Sequence, residues 1–337
     1  MRRDMDDLKL YASNSKHLDK LLRCVETFSN DIKMPIGLDK CRKITIVKGK
    51  VVSRHVTAES SGLDIAEMEA GEVYKYLGVM QSSSINTMQM RKKLIAEFKR
   101  RLHAICKTQL NGKNQIHAIN SFVVPVVSYS FGIVKWSSTE IENLQRIIRT
   151  IMTKYKSRHP KSSVVRMMLP RKAGGRGQID VGALHDKLIL NIRAYFQHKC
   201  SQSELHKAAS AADDNYTPLR MNQPYEIKNT TTIDEKIQRW SEMAIHGVYR
   251  KDLLSPHVDQ KLSHLWLTNR SIFAETEGTI FAIQDGVIPT RNYIKYVMRD
   301  PNAAADRCRR CNSRTEPMFS TAWKFHSGSY IQIPTAH

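Results

Sequence analysis

Between Ser15 and Ile32 the chain places Leu18, Leu21, Leu22, Val25 and Ile32 at intervals of three, four and seven, with Lys16, Asp19, Lys20 and Arg23 on the other side. That spacing predicts an amphipathic helix. After the turn material MPIGLDK, the stretch KITIVKGKVVSRHV alternates about Gly49 as a β-hairpin would, and EVYKYLGVM predicts another short strand closed by Gly78. From Met90 a stripe of Met90, Leu94, Phe98, Leu102 and Ile105 predicts a long helix carrying Arg91, Lys92, Lys93, Lys99, Arg100 and Arg101 largely around it. GKNQIHAINSFVV predicts a helix up to Pro125, and STEIENLQRIIRTIMTKY predicts one with a Ser or Thr cap and glutamates in its first turn. Three helices in a row predict a small bundle. A further helix carries Leu184, Leu188, Ile189, Ile192, Tyr195 and Phe196, and helical pattern returns through Ile237, Trp240 and Ala244, in TIFAIQ, and in TRNYIKYVMRD. Residues 201–232, polar and poor in large apolar groups, predict a linker or long loop. The last twenty residues show no clear period and predict poor order. The class is therefore α+β, mostly helical, with no internal repeat.

Composition narrows the function. A length of 337 residues suits about two domains with a sizeable core. Lys plus Arg number 53 against 32 Asp plus Glu, a net charge of +21, which favours a polyanionic partner, most often nucleic acid. A merely basic soluble protein is the alternative. Of six cysteines only Cys308 and Cys311 lie close together, so a disulfide framework is excluded and a reducing, intracellular setting, nucleus or cytoplasm, is expected. No stretch near the start resembles a signal peptide. The longest apolar run, FVVPVVSYSFGIV, is too short for a membrane span and is broken by Pro125 and Ser128.

Three places could carry chemistry. Asp6 and Asp7, in MRRDMDDLKLYA, are either a carboxylate pair that shares a divalent cation or an N-cap with a first-turn acid. Residues Arg146 to Arg176 contain ten Lys or Arg and no Asp or Glu, and this run ends in the loop LPRKAGGRG, with Arg171, Lys172 and Arg176. Its glycines would let backbone amides approach a phosphate, or the loop is a plain turn before the next helix. Cys308 and Cys311 form a CxxC, half of a tetrahedral zinc site. The histidines lack a supporting nucleophile motif, and His103 and His117 read as helix-surface or satisfied core residues.

The order DMDDLKLYA, then HLDKLLRCVETFSNDIKMPIGLDKC, then YKYLGV resembles the palm of non-LTR retrotransposon reverse transcriptases. The resemblance makes Asp6 and Asp7 the motif C pair that binds magnesium, GLDKC a motif D with Lys40 in the lysine position, and Tyr74, Lys75, Tyr76, Leu77 and Gly78 the primer grip. AINSFVVPVVSYSFGIVKW and LPRKAGGRG are similar to segments of the thumb and beyond. ETEGTIFAIQDGVIPTRNYIKYVMRDP followed by CRRC is similar to the region leading to a zinc knuckle. The resemblance spans about residues 4–316. It implies a residual palm over 1–81, a helical thumb over 82–160, a helical connector over 161–301 with a polar linker near 201–232, and a degenerate zinc-knuckle-like tail over 302–337.

Departures from the family pattern matter equally. Five residues precede Asp6, so the strand bearing the motif A aspartate is expected to be missing from this polypeptide, along with the fingers. Asp4 stands where the family has an aromatic residue, and its charge would repel the pair. Without the opposing carboxylate, magnesium would bind weakly and off centre. No cysteine follows Cys311, and Phe319 and Ser320 stand near the expected histidine. The pair is therefore read as free thiols and zinc as absent, with a site from Cys308, Cys311, His326 and His337 as the alternative. The expectation is a truncated RNA-directed DNA polymerase, inactive alone, that binds RNA:DNA primer–template through Arg91, Lys92, Lys93, Arg100, Arg101, Arg171, Lys172 and Arg176. The alternative is a non-enzymatic basic remnant, or a pseudogene product with no retained role.

Overall fold

The computed structural model describes residues 8–34, 36–52, 65–69, 71–82, 85–213, 216–227, 232–269, 271–291, 293–301 and 307. Asp6, Asp7, Cys308 and Cys311 lie outside them. Among the described residues the fold is mostly helical with two small antiparallel sheets. The chain divides into two compact units, 1–93 and 94–337.

In the first unit, Asn14 caps α1 (Ser15–Asp31) by accepting from the His17 amide at 2.9 Å, where the apolar spacing predicted a helix. None of α1's residues is buried, and Leu21 and Phe28 of its apolar stripe are exposed. The hairpin about Gly49 is present as β1 (Ile46–Val47) and β2 (Lys50–Val51). The YKYLGVM stretch is a second hairpin, β3 (Tyr74–Tyr76) and β4 (Val79–Gln81), so Gly78 sits inside a two-residue turn instead of ending a strand. Both turns take positive φ at both central positions, Lys48 and Gly49 at 51° and 76°, Leu77 and Gly78 at 46° and 80°. That geometry matches the right-handed strand twist and suits Gly at the second position, whereas Leu77 is strained there. Among the described residues of this unit, Met68, Val79 and Met90 are the buried apolar ones.

The helix α2 (Thr87–Lys107) supplies Phe98 and Leu102, fully buried, to the second unit's core. Asn111 caps α3 (Gly112–Ala118), which runs through a π-helical turn at Ile119–Val123 into α4 (Val124–Ser128). The helical path thus passes Pro125, where the sequence predicted an end. Proline has no N–H to give and its ring crowds the preceding turn, and the widened turn before it absorbs both effects. The helix α5 (Ser138–Lys154) opens on a capping box of Ser137 and Glu140 and buries Ile141, Leu144, Ile148 and Met152. Then follow α6 (Val164–Met168) and α7 (Val181–Cys200), the latter capped by Asp180. The buried residues of α7 include Val181, His185, Ile189 and Arg193 at intervals of four, so two polar side chains share the inward stripe.

The segment predicted as a linker contains α8 (Glu204–Ala212), which packs on α7. Beyond it Arg193 donates to the carbonyls of Leu219, Arg220 and Gln223, and the Tyr225 hydroxyl donates to Asp186 at 2.9 Å. These long-range bonds replace the apolar contacts whose scarcity suggested a loose tether. The helices α9 (Ile233–Glu242), α10 (Gly247–Leu253), α11 (Gln260–Asn269) and α12 (Ala274–Gln284) follow, with a π-helical turn at Tyr293–Val297 within the TRNYIKYVMRD stretch. Trp240 and Leu253 join Val165 and Leu169 in a second apolar cluster. The amide of Gly112 donates to the Ile272 carbonyl at 2.8 Å, bringing the start of α12 to the start of α3.

Candidate nucleic-acid interface

The basic run 146–176 separates into residues that turn inward and residues that stay in water. Arg166 is fully buried: its Nη1 donates to Asp285 at 3.0 Å, its Nε to the Gly174 carbonyl at 2.8 Å, and its Nη2 to Gln284. Its guanidinium lies 4.3 Å from the Phe281 ring centre and about as close to Tyr249 and Trp240 at 4.8 and 5.0 Å. Arg171 grips Glu277 with two bonds of 2.8 and 3.0 Å, and Arg176, only 3% exposed, adds a third at 2.9 Å while also donating to the Ser157 carbonyl. Burial alone would raise the Glu277 carboxyl, but the Arg176 charge and the bonds from both arginines hold it below its ordinary value.

Of the loop residues named for phosphate contact, Arg176 and Arg171 are committed to the interior, and Lys172 stays exposed. Arg176 is enclosed and Arg171 is nearly so, both bound to one carboxylate. The loop's amides are engaged as well: Gly174 donates to Arg171, Gly175 to Pro170, Arg176 to Arg166, Gly177 to Leu169 and Gln178 to Met167. These bonds occupy the amides of the glycine-rich half of the loop. The loop closes as a tight turn in which Gly175 is required, because a Cβ there would collide with the Leu169 and Arg166 carbonyls. Asn120, inside the π-helical turn, clamps the loop by donating to the Gly177 carbonyl at 2.8 Å and accepting from the Ile179 amide at 3.0 Å. Nothing local in the sequence marks Asn120, Glu277 or Asp285 for these roles.

What stays in water is the outward stripe of α5, with Glu142, Arg146, Thr150 and Lys154 exposed at intervals of four, together with Lys156, Lys161 and Lys172. In the second unit's part of α2, Lys99 is exposed, and Arg100 and Arg101 both bind Glu97, whose carboxyl these bonds hold down to about 2. Such exposed pairs exchange easily for phosphate. In the first unit's part, Lys92 and Lys93 are exposed and Arg91 is half-buried.

The remaining residues singled out by sequence lie in the first unit. Lys40, exposed on a short 3-10 turn, presents its carbonyl to the Tyr74 hydroxyl at 3.1 Å. Lys75 is exposed, with Tyr74 and Tyr76 half-buried on either side. Lys9, two residues beyond Asp7, donates to Gln81 at 2.9 Å and sits 5.4 Å from the centres of the Tyr11 and Tyr76 rings. His103 pairs with the Tyr155 hydroxyl, as a satisfied side chain. Among the described residues no group of three or more His, Cys, Asp or Glu could hold a metal, and no helix is long and apolar enough to cross a membrane. No protein-family model matches the chain, and no curated protein matches it.

Proposed function

We propose that the chain binds nucleic acid through phosphates, as the palm-end, thumb and connector portion of a non-LTR retrotransposon reverse transcriptase, and that it does not polymerise DNA alone. One observation carries this reading. Among the described residues the buried arginines are Arg158, Arg166, Arg176 and Arg193, and the buried carboxylates Asp186, Asp213, Glu277 and Asp285 are equally many. Among the described residues burial therefore takes up as many anions as cations and draws nothing from the cationic excess there, which is left to the surface, where counterion release favours association with a polyanion. The family part of the reading rests on the motif series and is supported by two contacts within the first unit, Tyr74 with Lys40 and Lys9 with the β3–β4 hairpin. They join the segments assigned to motif D, to the residues after motif C and to the primer grip.

In the family that the chain resembles, the Asp-Asp pair works together with a motif A aspartate, and Asp6 and Asp7 by themselves would hold magnesium weakly. The expected behaviour is affinity without extension. Fluorescence anisotropy with an RNA:DNA primer–template should show binding that falls roughly tenfold or more between low and physiological salt. The double variant Arg146→Glu, Lys154→Glu should flatten the log–log salt slope by about 2, close to one per lost phosphate contact. Absence of binding at low salt would sink the proposal, and nucleotide incorporation above that of an Asp6→Ala variant would overturn its non-catalytic part.

A further inference from the structure

Within the second unit the 135–141 segment, α7 and the 218–226 segment enclose a cavity of about 340 Å³, within the roughly 300 to 1,000 Å³ of small-molecule sites. Its walls are flat and apolar where Trp136, Pro218, Pro224 and Tyr225 line it. They are also fixed. Trp136 donates its Nε1 hydrogen to Ser130 Oγ at 3.0 Å, and Phe131 meets the Trp136 and His185 rings edge-on, at 6.2 and 4.9 Å between centres. On the other side Arg193 grips the carbonyls of Leu219, Arg220 and Gln223, Asp213 accepts from the Thr217 and Met221 amides, and Tyr225 donates to Asp186. A wall held in this way need not be ordered by its ligand.

Charge in the lining sorts by depth. Asp186, 2% exposed, carries a negative charge inside, and His185 Nδ1 lies 3.3 Å from it. Burial pulls the His185 imidazole below its ordinary value in spite of Asp186, so at neutral pH it adds no cation there. Lys135, Arg220 and Glu226 are exposed and form the rim. Arg220 takes a φ of 47°, which a non-glycine residue rarely adopts, and its carbonyl is bonded to Arg193, so the fold imposes its place. The aromatic and proline faces suit a flat ring, the Glu226 carboxylate accepts from ring N–H or amino groups, and the two rim cations suit a phosphate. The Asp186 charge turns that phosphate outward. A bare phosphate lacks the ring and a nucleoside lacks the anion, whereas a nucleotide meets all these groups at once. We propose that the cavity binds one nucleotide, base inward and phosphate at the rim between Lys135 and Arg220, supplied as a free mononucleotide or as an unpaired residue of a strand. The inference is independent of the α5 stripe.

The test titrates the full chain by calorimetry with adenosine, guanosine, cytidine and uridine 5′-monophosphates and with ribose 5-phosphate. At least one nucleotide should bind saturably at a single site, about tenfold or more tighter than ribose 5-phosphate. Arg220→Asn removes a rim cation and suits the positive φ; it should weaken that nucleotide about tenfold while Tm holds or rises. The Arg146→Glu, Lys154→Glu variant should keep the affinity. Competition by a short single-stranded oligonucleotide supports the site with a strand residue as its ligand, and lack of competition supports it with the free mononucleotide. Absence of saturable binding at millimolar nucleotide overturns the proposal, and so does equal affinity for ribose 5-phosphate, which would mean phosphate contact only. Unchanged affinity in Arg220→Asn also overturns it, as does loss of binding in the α5 variant, which would place the nucleotide on the stripe.

Discussion

Glu277 is the acceptor on which the basic run closes, and removing it is the sharpest perturbation of this fold. Its side chain is 3% exposed and takes three bonds, two from Arg171 and one from Arg176. Glu277→Ala leaves two enclosed guanidinium groups without a counter-charge, a loss of about 3 to 5 kcal/mol for breaking a buried pair from one side. For a unit the size of 94–337, each kcal/mol shifts Tm by about 2 to 4 °C, so a fall of about 6 to 20 °C is expected in thermal unfolding followed by circular dichroism. Glu277→Gln keeps the volume and one acceptor oxygen and should fall in between. The pH dependence provides an internal control. Because the folded carboxyl titrates below its ordinary 4.5, its contribution is fully present above that pH and is lost as pH falls through the folded value. The Tm gap between the parent and Glu277→Gln should therefore narrow on acidification below about pH 4.5. A drop of less than about 2 °C for Glu277→Ala at neutral pH would refute the reasoning, as would a gap that widens in acid.

Two further expectations concern backbone and packing. A Cβ at Gly112 would overlap the Glu277 carboxyl, which two arginines hold in place, so Gly112→Ala should destabilise by about 1 to 3 kcal/mol; in the Glu277→Gln background the two losses should be less than additive, and strict additivity would count against the contact. Leu77→Asn puts a residue tolerant of positive φ into the β3–β4 turn and should stabilise that hairpin by roughly 1 kcal/mol, read as about fivefold slower amide exchange in β3 and β4; faster exchange would show that the strain at Leu77 is not what limits the hairpin.

Local physics made much of the architecture legible from the chain. The 3.6-residue periods of α1, α2 and α5, the Ser137–Glu140 capping box and the Gly49 turn each depend on residues within a few positions of one another. The same locality made the net charge meaningful, since excess cations must sit somewhere wet. Tertiary structure alone decided which cations do so. Arg166, Arg171 and Arg176 turn inward because their acids lie 119, 106 and 101 residues downstream, in or just beyond α12, a partnership that no window on the sequence contains. Asn120 clamps its loop from 57 residues away, and Arg193 gathers three carbonyls of a segment whose composition suggested a free tether. A long-range hydrogen bond leaves no periodic trace in the sequence, because it is set by where the chain returns in space and not by what stands beside each residue.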